Sequence, residues 1–232
     1  MNMMKKSTIL LICVLPIFLS ACSYKNFEDS LKSKLNKEGE EYINPAAIPN
    51  NSSETEDTRL FFVGDTMSYT YLGNQTLKYT LNSADLSVNI NDLALNVDDF
   101  YDKSLISDNG KIDNEHRLVT VAVTVKNINY LGDDGDRDVP ILFIESSVGF
   151  KEGIEDPNGP WTIDASYFSE HPPMDQNHGK DYSKFPLAIG DEIDATVGWF
   201  VPADQLEKEP LYYIIGSGGR SEDYQYFELK FD

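Results

Sequence analysis

The chain has 232 residues and a formal net charge of −20, with 41% hydrophobic and 12% aromatic residues. So acidic a surface repels phosphate backbones, which argues against a nucleic-acid partner, and it repels anionic lipid headgroups as well. The apolar share suffices for one core of ordinary size.

Lys5 and Lys6 precede an apolar run from Ile9 to Leu19 that Pro16 interrupts. A spanning helix needs about 20 apolar residues, so this run is too short to cross a bilayer. Its layout is that of a secretory signal peptide over residues 1–21. Leu19-Ser20-Ala21-Cys22 resembles the bacterial lipobox, where signal peptidase cuts before a cysteine whose thiol carries diacylglycerol. The resemblance implies a mature protein that starts at Cys22 and is held to the cell membrane on its extracytoplasmic face. Each buried methylene adds about 0.8 kcal/mol, so two acyl chains make a lasting anchor. Cleavage also removes Cys13, the one other cysteine, and the fold must then rest on packing rather than a disulfide.

Residues 22–59 read as a lipidated N-terminus, a short helix and a linker. Phe27, Leu31 and Leu35 share one helical face, and Glu28 stands four residues before Lys32. NPAAIPNNSSETEDT has no apolar period and the composition of a flexible tether. As a random coil, the span from Cys22 to Leu60 would set its ends about 35 Å apart.

From Leu60 the period becomes two, and residues 60–232 read as one domain. TMSYTYL, LKYTL and LSVNI are strand candidates, and the apolar parity flips between Leu81 and Leu86, which requires a bulge, bend or turn. A short helix is conceivable over residues 96–106. RLVTVAVTVKN is the clearest strand, with Val119, Val121, Val123 and Val125 on one face. ILFIESSVGF and LYYII are further strands. EIDATVGWFVP directs Ile193, Ala195, Val197, Trp199 and Val201 inward, and QYFELKF does so with Phe227, Leu229 and Phe231. Turn clusters GDDGD, EDPNGP and GSGG separate them. About seven to nine strands with polar turns predict an antiparallel β-sandwich.

Several stretches carry candidate chemistry. In DDGDRDVPILFIE the acids from Asp134 to Glu145 follow the spacing of an EF-hand loop. However, Val139 stands where the turn glycine belongs and ILFIE reads as a strand, so an EF-hand is rejected. Asp133, Asp134, Asp136 and Asp138 remain a candidate calcium site, against a solvated hairpin tip. His171 and His178, with Glu170, Asp175 and Asp181, have metal-ligand chemistry but no established spacing. GSGGR lacks the phosphate-binding lysine and reads as a turn. No GxSxG elbow is present, and the reading is non-enzymatic. Trp161, in the loop EDPNGPWTID, is a candidate for stacking on a sugar or anchoring a protein partner, whereas Trp199 belongs to the core.

FFVGDT, RLVTVAVTVKNIN and FPLAIGDEIDATVGWFVPADQ together resemble the immunoglobulin-like (telokin-like) domains of unknown function found in Gram-positive bacterial lipoproteins. Gly64 and Gly190 occupy apolar-Gly-Asp turns that call for positive φ. The resemblance implies an immunoglobulin-like sandwich and brings no catalytic residues. The functional expectation is a lipid-anchored module that binds an envelope protein. The alternative is capture of calcium at Asp133–Asp138 or of a glycan at Trp161.

Overall fold

The computed structural model describes residues 44–49, 59–71, 74–132, 138–158, 160–216, 218, 220 and 223–231. At its centre lies the Val-rich strand β4 (His116–Asn127), whose Val119, Val121, Val123 and Val125 have no solvent exposure. Burying each such side chain stabilises the fold by roughly 1.5–3 kcal/mol. β3 (Gln75–Ser87) and β10 (Glu192–Pro202) flank it antiparallel, with Val119 opposite Leu86 on one side and Trp199 on the other. The parity change in β3 is a bulge between Leu81 and Ser83, so the strand of LKYTL continues through Leu86 and Ser87, and only the rest of LSVNI leaves it. Beyond the bulge the apolar side chains do not form a core face. Leu86 and Val88 are exposed while Ser87 is buried, its hydroxyl donating to the Asn89 carbonyl at 2.8 Å.

The first five-stranded sheet runs β1 (Leu60–Phe62), β12 (Gln225–Leu229), β11 (Leu211–Ile215), β6 (Ser147–Phe150), β7 (Ile163–Asp164). The second runs β2 (Thr66–Tyr71), β3, β4, β10, β8 (Tyr167–Phe168). β5 (Ile141–Phe143) and β9 (Lys184–Pro186) form a separate pair, so ILFIESSVGF is two strands rather than one. Among the described residues all strand pairings are antiparallel except β1 with β12. The chain passes from β1 to β2, and so between sheets, at Val63-Gly64-Asp65. Gly64 there has φ 94° and donates to the Leu81 carbonyl at 2.7 Å. Gly190 has φ 92° and donates to the Asn127 carbonyl at 2.7 Å, giving both expected turns their positive φ.

The inner faces meet in one core. Met67, Leu77, Val121 and Trp199 from one sheet pack in the same cluster as Val148, Leu211, Tyr213 and Phe227 from the other. This is an antiparallel β-sandwich. Trp199 is fully buried, with its ring 5.3 Å from Tyr213 and its indole N–H donating to the Ser146 carbonyl at 2.7 Å. Asn127 ends the central strand without exposure. Its amide donates to the carbonyls of Tyr130 (2.9 Å) and Leu187 (3.0 Å), and its side-chain oxygen accepts from the Tyr130 N–H at 2.7 Å. The Lys-Asn ending of the strand is thus a fixed corner between two loops.

Both sheets also bury apolar side chains on their outer faces. On the first sheet Tyr212, Ile214 and Tyr226 cluster with Ala46 and Ile48. These last two come from the stretch read as tether, so Asn44–Pro49 is docked on the sandwich rather than solvated. On the second sheet Leu118, Tyr167 and Phe200 cluster with Ile90, Phe100 and Ile112. That cover contains no α-helix over residues 96–106 but two short 3₁₀ turns, Ile90–Leu93 and Val97–Asp99. The Asn89 and Asn96 side chains cap their first N–H groups, and Ala94 at φ 54° breaks the chain between them.

Candidate functional site

Trp161 is 70% exposed, the most exposed of the large hydrophobic side chains described. Its backbone is nevertheless fixed. The Trp161 N–H donates to the Gly153 carbonyl at 2.9 Å, tying the loop to the helical turn Lys151–Ile154. Gly149 and Gly153 make this approach feasible. A Cβ at Gly149 would lie 2.7 Å from Ile154 Cγ1, and one at Gly153 would lie 3.1 Å from the Trp161 carbonyl oxygen. The same turn is gripped from its other side, where the Asn44 amide donates to the Ile154 and Asp156 carbonyls, each at 3.2 Å. The Ile48 N–H reaches the Glu155 carboxylate at 3.2 Å. A large ring is thereby presented on a braced turn that carries Glu152, Glu155 and Asp156 against a single Lys151. An amphipathic ring held this way loses little entropy when a ligand or partner covers it.

A second constellation lies inside one end of the sandwich, where sequence reasoning placed no site. Glu145, between β5 and β6, accepts from the Tyr71 hydroxyl at 3.0 Å, and Tyr71 lies 3.3 Å from the Tyr79 hydroxyl. The Tyr213 hydroxyl donates to the Glu145 backbone carbonyl at 2.7 Å. Burial pushes the Glu145 carboxyl above its usual range, opposed by the hydrogen bonds from Tyr71 and the Gly216 N–H. Burial also pushes up the phenols of Tyr71, Tyr79 and Tyr213, with Glu145's charge adding to it. These hydroxyls therefore stay protonated and act as donors, not nucleophiles. The signal in the sequence was one acid inside the otherwise uncharged ILFIESSVGF, which the EF-hand comparison absorbed.

The histidine loop does not converge on a metal. His171 holds its Nδ1 2.7 Å from the Pro172 carbonyl and stacks on Tyr182, ring centroids 4.8 Å apart; its Nε2 stands 3.9 Å from Asp99. His178 is exposed, in a left-handed turn with Asn177 and Gly179. Among the described residues no three His, Cys, Asp or Glu side chains come together as a metal-holding group. Asp138 is exposed, and Asp133, Asp134 and Asp136 lie outside the described residues. So do Leu19, Ser20, Ala21 and Cys22 and the face formed by Phe27, Leu31 and Leu35. Among the described residues no helix is long and apolar enough to cross a membrane. A hollow of about 510 Å³ in the cover of the second sheet is lined by Ile90, Leu95, Asn96, Ile106 and Asn109 among others, without histidine or cysteine.

The sequence model of a domain of unknown function (DUF5027) matches residues 69–231, almost the whole sandwich. No curated protein matches the chain. Among solved structures, an uncharacterized β-sandwich protein from Clostridium difficile 630 is 9% identical, with TM-score 0.38, over 79% of this chain and 100% of that one. The yjhA protein from Bacillus subtilis is 14% identical, with TM-score 0.39, over 74% of this chain and 99% of that one. Both overlaps are too loose to transfer any residue's role.

Proposed function

We propose that this chain, which belongs to the family of the domain of unknown function DUF5027, is a lipid-anchored extracytoplasmic lipoprotein whose sandwich is a non-catalytic binding module. The lipobox Leu19-Ser20-Ala21-Cys22 supports the anchor at Cys22. The sheet switch at Gly64 and the parallel seam between first and last strands support the immunoglobulin-like reading and, through it, a Gram-positive envelope. One observation carries the binding role: Trp161 is 70% exposed on a backbone braced by Gly153. Exposed aromatic anchors on pre-organised loops are the residues that dominate protein interfaces. The acidic turn around it favours a partner with basic side chains.

A photo-crosslinking amino acid at position 161 of the intact lipoprotein, activated on living cells, tests this reading. The expected result is one envelope protein joined to the chain, with its capture lost when Trp161→Ala is combined with a crosslinker at a neighbouring position. No protein product, together with glycan-array binding that Trp161→Ala abolishes, would replace the partner with a sugar. Calcium capture by Asp133, Asp134, Asp136 and Asp138 is a third proposal, supported by the clustering of these acids in the sequence alone; it predicts a melting temperature that rises with calcium and falls back with chelator.

A further inference from the structure

The edges of the two large sheets are unequal. β7 and β8 have two residues each and β1 three, whereas β2 offers six, Thr66–Tyr71. The phase of the β2–β3 ladder is fixed by Leu81, whose N–H donates to the Asp65 carbonyl at 3.2 Å and whose carbonyl takes the Gly64 N–H. Alternation along an antiparallel pair then turns the N–H and C=O groups of Met67, Tyr69 and Tyr71 toward β3. Those of Thr66, Ser68 and Thr70 point away from the sheet. The same three residues have exposed side chains, while Met67 and Tyr69 are buried in the core.

Native sheets usually blunt such an edge with lysine, proline or a bulge, and β2 has none of these. Its sequence is also symmetric in character about Ser68, with threonines two residues to either side and larger apolar-bodied side chains between. We propose that β2 is a self-association edge, pairing antiparallel with β2 of a second copy across a two-fold axis at Ser68. In that register Ser68 faces Ser68 of the other copy and Thr66 faces Thr70, so every outward N–H and C=O of the three residues is used. Threonine pairs already occur on this surface within one chain: Thr66 with Thr80 at 2.7 Å and Thr70 with Thr76 at 3.4 Å. The new pairs extend that hydroxyl row, and the two five-stranded sheets become one of ten. A strand without charge is a contact that two copies of so acidic a chain can share without opposing carboxylates. Lys78, opposite Ser68 on β3, is kept about 14 Å from its counterpart by the two intervening strands. Two copies on one membrane would also meet at raised local concentration, as the anchor proposed above requires.

Ser68→Cys in the full chain, oxidised on membranes, tests the register, because facing residues of a bonded pair lie within disulfide reach. The expected product is a dimer of twice the chain mass, absent from Asn114→Cys on an exposed loop. Ser68→Glu supplies the second test. Its carboxylate pairs with Lys78 inside one chain, which preserves the fold, but meets its own copy across the axis. Sedimentation of the full chain in detergent should show a dimer whose dissociation constant rises about fivefold in Ser68→Glu. A chain monomeric at every concentration, or a dimer indifferent to Ser68→Glu, would overturn the proposal. So would a Ser68→Cys adduct to a different protein, which would assign the edge to a foreign strand. None of these results depends on Trp161.

Discussion

The two outer faces of the sandwich meet the same difficulty in different ways. Each sheet carries aromatic side chains away from the core, and each hides them under non-sheet chain. The second sheet is covered by a local excursion between β3 and β4, with Ile90, Phe100 and Ile112 wedged against Leu118, Tyr167 and Phe200. The Phe100 ring lies 4.9 Å from Tyr167 and 5.8 Å from Phe200, so apolar packing dominates that side. The first sheet is covered by Asn44–Pro49, which contributes only Ala46 and Ile48 to the apolar cluster and is held largely by hydrogen bonds. A cover anchored by packing is inseparable from the fold. A strap anchored by a few polar contacts can open on its own.

The largest expected effect is on the packed cover. Phe100→Ala removes a ring with no exposure and should cost about 3–5 kcal/mol in urea unfolding, in one transition. A loss of about 2 kcal/mol or less would erase the expected advantage of the packed cover over the strap. Ile48→Ala should cost about 2 kcal/mol, the low end for a buried isoleucine, because a lifted strap caps the loss. Hydrogen exchange should show the Ile48 amide losing protection while β4 amides keep theirs. Tyr226→Phe deletes the hydroxyl that donates to the Ala46 carbonyl at 2.7 Å and should cost about 1 kcal/mol, again confined to strap amides.

The subtlest test uses the interior that both covers share. Burial raises the Glu145 carboxyl above its ordinary value of 4.5, so the folded chain holds that proton more tightly than the unfolded one. Its contribution is complete below the ordinary value and declines as pH rises through the raised one. Glu145→Gln should flatten this part of the stability profile, read by thermal melts across pH, and leave the difference between the covers unchanged.

Much of the sandwich was legible because alternation is a local signal. Val119 to Val125, Trp199, Phe227 and Leu229 are buried as their period requires. The bulge at Leu81 was legible as a change of parity, and Gly64 and Gly190 as turns. Tyr226 was misleading: its parity points outward, yet it is fully buried, because the residue covering it lies 180 positions away at Ala46. No window along the chain contains that contact. The Glu145–Tyr71–Tyr79 cluster was hidden for the same reason, since its members come from β2, β3 and the β5–β6 junction. Trp161 was the exception, because a tryptophan beside proline and glycine turns has no strand to bury it.

Together these features describe a sandwich on which the strap Asn44–Pro49 is docked. Intact-mass analysis of the N-terminal peptide from native, membrane-extracted protein tests the proposed anchor most directly. The expected peptide begins at Cys22 and carries diacylglycerol on its sulfur. An unmodified peptide that begins at any other residue would contradict the lipoprotein assignment and, with it, the envelope setting of the binding module.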